Sequence, residues 1–285
     1  MNAFLLALAI LVVTGGVAAL CGRRPSLASC CGIGGAVAGC LIGLAPALQV
    51  LVHGVPLSFR ANWDVPYGEF FVAIDPLTAF FLLPIFGLSL LAAVYSGEYL
   101  HSFRGHQSLG PVYGWFNLLV ASMALVVAAR NAILFLIAWE VMSLASFFLV
   151  TFEDERKEVR DAGWTYLVAT HLGTAFLFVL FALLGRQAGS MNFDRFAAMG
   201  VLPAGLAAAL FLLALAGFGT KAGFLPLHVW LPEAHPAAPS HVSALMSGVM
   251  IKLGIYGILR TLALDRKSTR LNSSHSAKSR MPSSA

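Results

Sequence analysis

The chain has 285 residues, 59% of them hydrophobic and only 11% charged, with a mean hydropathy of +0.82. A water-soluble domain carries about 25% charged residues, so this one could not cover its apolar surface in water, and a lipid solvent is the reading left. The formal charge of +5 belongs to one end: the last five basic residues, Arg266, Lys267, Arg270, Lys278 and Arg280, follow the last acidic one, Asp265, and residues 1–265 are neutral. Nothing in that balance supports a nucleic-acid partner.

A membrane-crossing helix takes about 20 mostly apolar residues. Ala3 to Leu20 is the first such stretch, and it lacks the basic start and cleavage site of a removable signal peptide. Leu27 to Val52 is the second. Its Gly35, Gly39 and Gly43 have small-xxx-small spacing, which a Gly/Ala-rich helix also produces by chance. The cysteines Cys21, Cys30, Cys31 and Cys40 form no C-x-x-C pair, so no zinc knuckle or iron–sulfur cluster is encoded, and a packing role is expected. Residues 53–74 are the longest polar break, and Leu57-Ser58-Phe59-Arg60 alternates as in a short extramembrane hairpin.

The third span runs from about Pro76 to Tyr95 with Pro84 inside it, and the fourth from about Pro111 to Ala129. Arg130-Asn131 is a very short turn into the fifth, Ala132 to Phe152. The mixed-sign run 153–161 reads as a solvated helix start, and the sixth span follows at Gly163 to Gly185. The seventh begins at Val201 and the eighth covers His241 to Leu262. The fold class is an all-α, polytopic helix bundle of about eight spans in the cell's inner (plasma) membrane. Loops after odd-numbered spans hold Arg23, Arg24, Arg104, Arg156, Lys157 and Arg160, against Arg60, Arg130, Arg186, Arg195 and Arg260 opposite. By the positive-inside rule that difference leans to an outside N-terminus.

A few residues in these spans cost energy. Glu140 lies mid-way through the fifth, where a carboxylate costs about 2.5–3.5 kcal/mol on insertion scales; it must take up a proton or find a base. Lys252 lies deep in the eighth, too far to snorkel comfortably from either end. An acid and a base on different helices are the parts of a proton relay, and a static ion pair is the plain alternative. In the seventh span, Gly219-Thr220-Lys221-Ala222-Gly223 is followed by Pro226, Pro232, Pro236 and Pro239. Pro226 removes a donor and clashes with the preceding turn, so a discontinuous helix is expected, with Lys221 at the break. Such breaks survive in a membrane only where protein or water satisfies the freed backbone; the alternative for Lys221 is a snorkelling lysine at an ordinary helix end. His171, expected to be buried in the sixth span, and His228, His235 and His241 around the break add groups that titrate near neutral pH. Their spacing is wrong for a helical zinc pair, so no metal is expected.

The strings WEVMSLASFFLVTFE at 139–153 and GFGTKAGFLPLHVWLPEAHPAAPSHVSALMSGVMIKLGIYGILR at 217–260 resemble the proton-conducting membrane subunits shared by respiratory complex I, Mrp antiporters and membrane-bound hydrogenases. Within that family the chain looks most like the formate hydrogenlyase subunit 3 and hydrogenase-4 component B group. The resemblance implies that Glu140 modulates Lys221 and that Lys252 receives the proton onward; His171, His228 and His241 join the relay candidates on their titration range alone, with a packing role for His171 and an interfacial place for His228 as the alternatives. Some relatives carry a histidine in the eighth helix where Ser247 stands here. The resemblance also implies helices 1–3 in residues 1–110 and a proton-conducting half-channel in 111–264. The family's second half-channel has no counterpart in the chain, and 265–285 looks non-native, so a truncated fragment is expected.

The expected function is a proton-translocating, non-redox subunit of a hydrogenase or NADH-quinone-oxidoreductase-like complex. A Mrp-type cation/proton antiporter subunit and a structural anchor for a peripheral redox arm are the alternatives. No cofactor ligands are encoded, so electron transfer would fall to partner membrane and peripheral subunits.

Overall fold

The computed structural model describes residues 1–22, 24–103 and 107–263, and eight of its helices are long and apolar enough to cross a membrane. The proposed tail at 265–285 lies outside the described residues. The crossing helices are α1 (Asn2–Leu20), α2 (Pro25–His53), α3 (Pro76–Tyr99), α4 (Leu109–Ala128), α5 (Ala132–Val150), α6 (Lys157–Ala188), α8 (Ala204–Ala222) and α10 (Ser240–Ala263). Between them lie two short helices, α7 (Phe193–Ala197) and α9 (Leu231–Ala237). The expected hairpin is present as β1 (Leu57–Asn62) and β2 (Glu69–Ile74), antiparallel with Leu57 opposite Ile74. α6 starts within the charged run, at Lys157, as a solvated helix start would.

The chain reverses alternately at two ends of the bundle. One, the hairpin end, holds β1–β2, the α4–α5 turn, α7 and the last turn of α10. The other, the break end, holds α9 and the turn between α5 and α6. α4 is the most enclosed span, packed on α1, α2, α3 and α5. The glycine spacing in α2, which chance could explain, is a packing device: a Cβ on Gly35 would collide with Thr14 of α1, one on Gly39 with Leu11, and one on Gly43 with Phe86 of α3. In lipid no hydrophobic force drives helices together, so close approach of this kind is what holds them. Cys40 is buried in α2, as a packing residue, whereas Cys30 is exposed and Cys21 caps the end of α1.

The hairpin end is tied by a polar cluster that the sequence reading passed over as a very short turn. Asp75 caps α3 by accepting from the Thr78 amide at 2.9 Å. Its carboxylate pairs with Arg260 at 2.6 Å and Arg130 at 3.3 Å. Arg130, only 7% exposed, also donates to the carbonyls of Val127, Ala128 and Ala129, the unsatisfied end of α4. The Thr78 hydroxyl and Tyr256 both donate to the Val127 carbonyl, so α3, α4 and α10 meet at one point. Burial would raise the Asp75 carboxyl, but the Arg260 hydrogen bond and the two positive charges outweigh it and hold it below the usual carboxylate range. Beside the cluster, Val72 bridges to Ala129 and Asn131 bridges to Asn192. The α4–α5 turn is thereby held in extended form between β2 and the start of α7.

Candidate functional site

Where α8 stops, Gly223 adopts φ +73°, a conformation that costs glycine nothing and other residues about 1–2 kcal/mol. The Phe224 amide then donates to the Gly219 carbonyl at 3.0 Å, closing the helix in the manner of a Schellman cap. The expected break is present, but Gly223 makes it three residues before Pro226, because the helix has already ended when the proline is reached. Trp230, fully buried, returns to donate its indole N–H to the Thr220 carbonyl at 2.8 Å. That satisfies one of the acceptors freed by the break, as a membrane interior demands.

Lys221 occupies the last turn of α8 and is only 2% exposed. Its Nζ donates to the Tyr166 hydroxyl of α6 at 2.9 Å and to Ser143 Oγ of α5 at 3.2 Å. The rings of Tyr166 and Trp139 lie 5.2 and 5.9 Å from the same atom, within cation–π range. Tyr166 in turn contacts Ser146 Oγ. Ser146 donates its own proton to the Met142 carbonyl at 2.7 Å, so its lone pair is free to accept from the tyrosine. The chain Lys221, Tyr166, Ser146, Met142 thus uses each donor once and points away from the lysine. Lys221 is the donor at the head of this chain.

Glu140 makes no ion pair with Lys221 within 4.0 Å. Its Oε2 meets His171 Nε2 at 3.2 Å, while Oε1 is buried without a partner. Contrary to the sequence expectation His171 is not buried: its side chain is 46% exposed on the outer face of α6, because the residues of that helix facing α5 and α8 are Tyr166, Thr170 and Thr174. Its Nδ1 lies 2.9 Å from the Leu167 carbonyl and so must be protonated. That leaves two arrangements, imidazolium with carboxylate or neutral imidazole with carboxylic acid. Both hold two protons at zero net charge, so a proton crosses between the residues without changing the charge of the pair. Ser143, which touches Lys221, lies three residues from Glu140 and so on a neighbouring face of α5.

Lys252 and three histidines, His228, His235 and His241, stand apart from Lys221 and the Glu140–His171 pair. The side chain of Lys252 is exposed and folds back onto the Ser247 carbonyl, without contact to Lys221. A π-turn at Met246–Met250 precedes it, the kind of bulge that frequently marks functional sites. Ser247 donates to the Ser243 carbonyl, and Ser243 lies 3.1 Å from His235 Nδ1 on α9. Burial first, and the Lys252 ammonium second, hold the His235 imidazole below its ordinary value. His241 is 2% exposed with neither nitrogen bonded, and it packs between the rings of Tyr99 and Phe116, each 5.6 Å away. His228 has a buried, unpartnered Nδ1. The sequence reading missed Ser143, Ser146 and Tyr166. No sequence signal marked them: Tyr166 is the fourth residue of the sixth span and reads as an ordinary interfacial tyrosine. Among the described residues no group of three or more His, Cys, Asp or Glu gathers as a metal site.

Residues 129–275 match the family described as NADH:quinone oxidoreductase/Mrp antiporter, TM. The chain is 41% identical over 228 residues to hydrogenase-4 component B of Escherichia coli K12, covering 80% of this chain and 33% of that one. It is 32% identical over 233 residues to formate hydrogenlyase subunit 3 of the same organism, covering 82% and 35%. Among solved structures it superposes on a chain of the Mrp complex from Dietzia sp. DQ12-45-1b with a TM-score of 0.76 and 27% identity, covering 92% of this chain and 28% of that one. The chain therefore spans about a third of the length of these curated relatives.

Proposed function

This chain belongs to the NADH:quinone oxidoreductase/Mrp antiporter transmembrane family, and from that premise we propose that it is a proton-translocating membrane subunit whose relay is centred on Lys221. The observation that carries the reading is a fully enclosed lysine at a helix break, held by two hydroxyls and no carboxylate. A structural lysine in lipid would be expected to have a counter-ion in contact, since a lone buried charge costs several kcal/mol. Lys221 has acceptors that favour the ammonium but no contacting charge that locks it. It is therefore able to hold a proton and to give it up.

In this mechanism Lys221 stores the proton, and the Glu140–His171 pair supplies a field that one transferred or added proton changes. Such a change reaches Lys221 through space, without contact. Lys252 is the onward station; its ammonium lies outside contact range of Lys221, so transfer between them requires water or a side-chain movement at the π-turn. Residues 111–264 form the conducting unit, and electron transfer belongs to partner subunits of a hydrogenase or quinone-oxidoreductase type of complex in the inner membrane. The excess of basic residues in loops after odd-numbered spans supports an orientation by the positive-inside rule. The N-terminus and hairpin end are then assigned to the outside.

The test is Lys221→Ala in inside-out vesicles carrying the assembled complex, with proton uptake and electron transfer followed together. Loss of uptake with electron transfer continuing is expected; unchanged uptake per electron removes Lys221 from the path.

A further inference from the structure

Between Lys221 and the hairpin end lies a continuous layer of aromatic rings. Phe135 of α5 stacks on Trp139 at 5.5 Å and meets Phe181 of α6 at 5.5 Å, Phe193 of α7 at 6.1 Å and Phe218 of α8 at 6.0 Å. Trp139 and Phe218 close the layer at 5.6 Å. All five residues are at most 5% exposed. Their order along the chain fixes their depth. Trp139 and Phe135 precede Ser143 by one and two helical turns, and Phe218 precedes Lys221 by one, in each case toward the hairpin end. Beyond the layer comes the Asp75, Arg130 and Arg260 cluster, which carries one more positive than negative charge.

We propose that this aromatic layer is the proton seal of the half-channel, the element that makes access to Lys221 one-sided. Apart from the Trp139 indole N–H, the closely packed rings offer no polar atom to order water, and apolar constrictions of this kind close pores by dewetting. The relay groups Ser143, Ser146 and Tyr166 all lie on the break-end side of the layer. A proton on Lys221 therefore has hydroxyl partners on that side and only rings toward the hairpin end. The arginine pair behind the rings opposes any cation that passes them, as a positive charge does in water-selective pores. This inference rests on the relay reading of Lys221 but concerns different residues.

The experiment uses the purified chain in liposomes with an entrapped pH dye and a potassium diffusion potential. Phe135→Ser is expected to raise passive proton permeability by about tenfold or more, because a hydroxyl and a ring-sized space admit water, whereas Phe135→Leu keeps the layer apolar and stays near wild type. Phe193→Ser, on the short helix outside the spans, opens the same layer with less disturbance to the bundle and serves where Phe135→Ser fails to fold. A serine variant of unchanged helix content that leaks no more than wild type overturns the seal, as does a leucine variant that leaks as much as serine. Adding Lys221→Ala to the leaking variant separates the two readings: loss of the leak supports both, while persistence supports the seal and counts against Lys221 as the carrier.

Discussion

Replacing Asp75 by alanine isolates what the hairpin-end cluster contributes. Two arginines lose their common carboxylate, and both are enclosed, Arg130 at 8% and Arg260 at 13% side-chain exposure. Breaking a buried ion pair from one side costs about 3–5 kcal/mol, because the remaining charge has no partner. Asp75 is itself 31% exposed, so water reaches the vacated site and the lower figure applies, about 3 kcal/mol. The N-cap bond to Thr78 is lost as well and adds about 1 kcal/mol. At roughly 2–4 °C per kcal/mol for a chain of this size, thermal unfolding in detergent should fall by about 8–16 °C. The pH dependence carries its own sign. The folded carboxyl titrates below its unfolded value, so its contribution is fully present above pH ~4 and is lost as pH falls through the folded value. Wild type should thus lose stability on acidification in a component that Asp75→Asn lacks. A melting temperature within about 2 °C of wild type would refute the idea that this cluster fastens α3, α4 and α10.

Two further outcomes test the packing and the site. Tyr166→Phe keeps the ring over Lys221 and removes one hydrogen bond to an ammonium, worth about 1.5–3 kcal/mol; proton uptake in inside-out vesicles should fall roughly ten- to hundredfold with helix content unchanged, and normal uptake would exclude the tyrosine from the relay. Gly39→Val places a branched side chain where even a Cβ would lie 2.7 Å from Leu11; α1 should separate from α2, seen as faster proteolysis of α1 and a lower melting temperature, and an unaltered melt would mean that the glycine spacing is incidental.

The positions of the spans were legible because the energy that decides them is a sum over many residues: about 20 apolar side chains in lipid outweigh any local irregularity. Lys221 at a break and Glu140 inside a span were legible for the converse reason, since a single charge in lipid is too costly to be accidental. What failed was direction. A helical period does not say which face of α6 turns inward, so His171 read as buried although the structure gives that face to Tyr166 and Thr170. Arg130 read as a turn residue because it stands between two apolar runs. Its partner Asp75 and the Arg260 that shares this carboxylate are 55 and 130 residues away, and no local pattern announces a cluster at such distance. The glycine spacing in α2 was visible, but its meaning depended on Thr14, Leu11 and Phe86 of other helices.

The two ends of the bundle have opposite chemistry, and that asymmetry gives the relay its sense. At the hairpin end the enclosed charges are paired within the protein: Arg130 closes the carbonyls of α4 and meets Asp75, Asn131 caps α5, and Glu69 and Asp194 share Arg60. At the break end and in the membrane interior Glu140 Oε1, His228 Nδ1 and both nitrogens of His241 are left unpaired, as are the Ser29 and Ser89 hydroxyls and Asn117 Oδ1 in the first four spans. A buried polar atom without a partner is costly wherever it has no function, and the Glu140, His228 and His241 atoms lie in or near the spans that carry the proposed relay. The rigid fastening and the proposed relay thus lie in different halves of the fold. The aromatic layer is the boundary between them, which is why opening it, and not weakening the hairpin, is the perturbation that should let protons through.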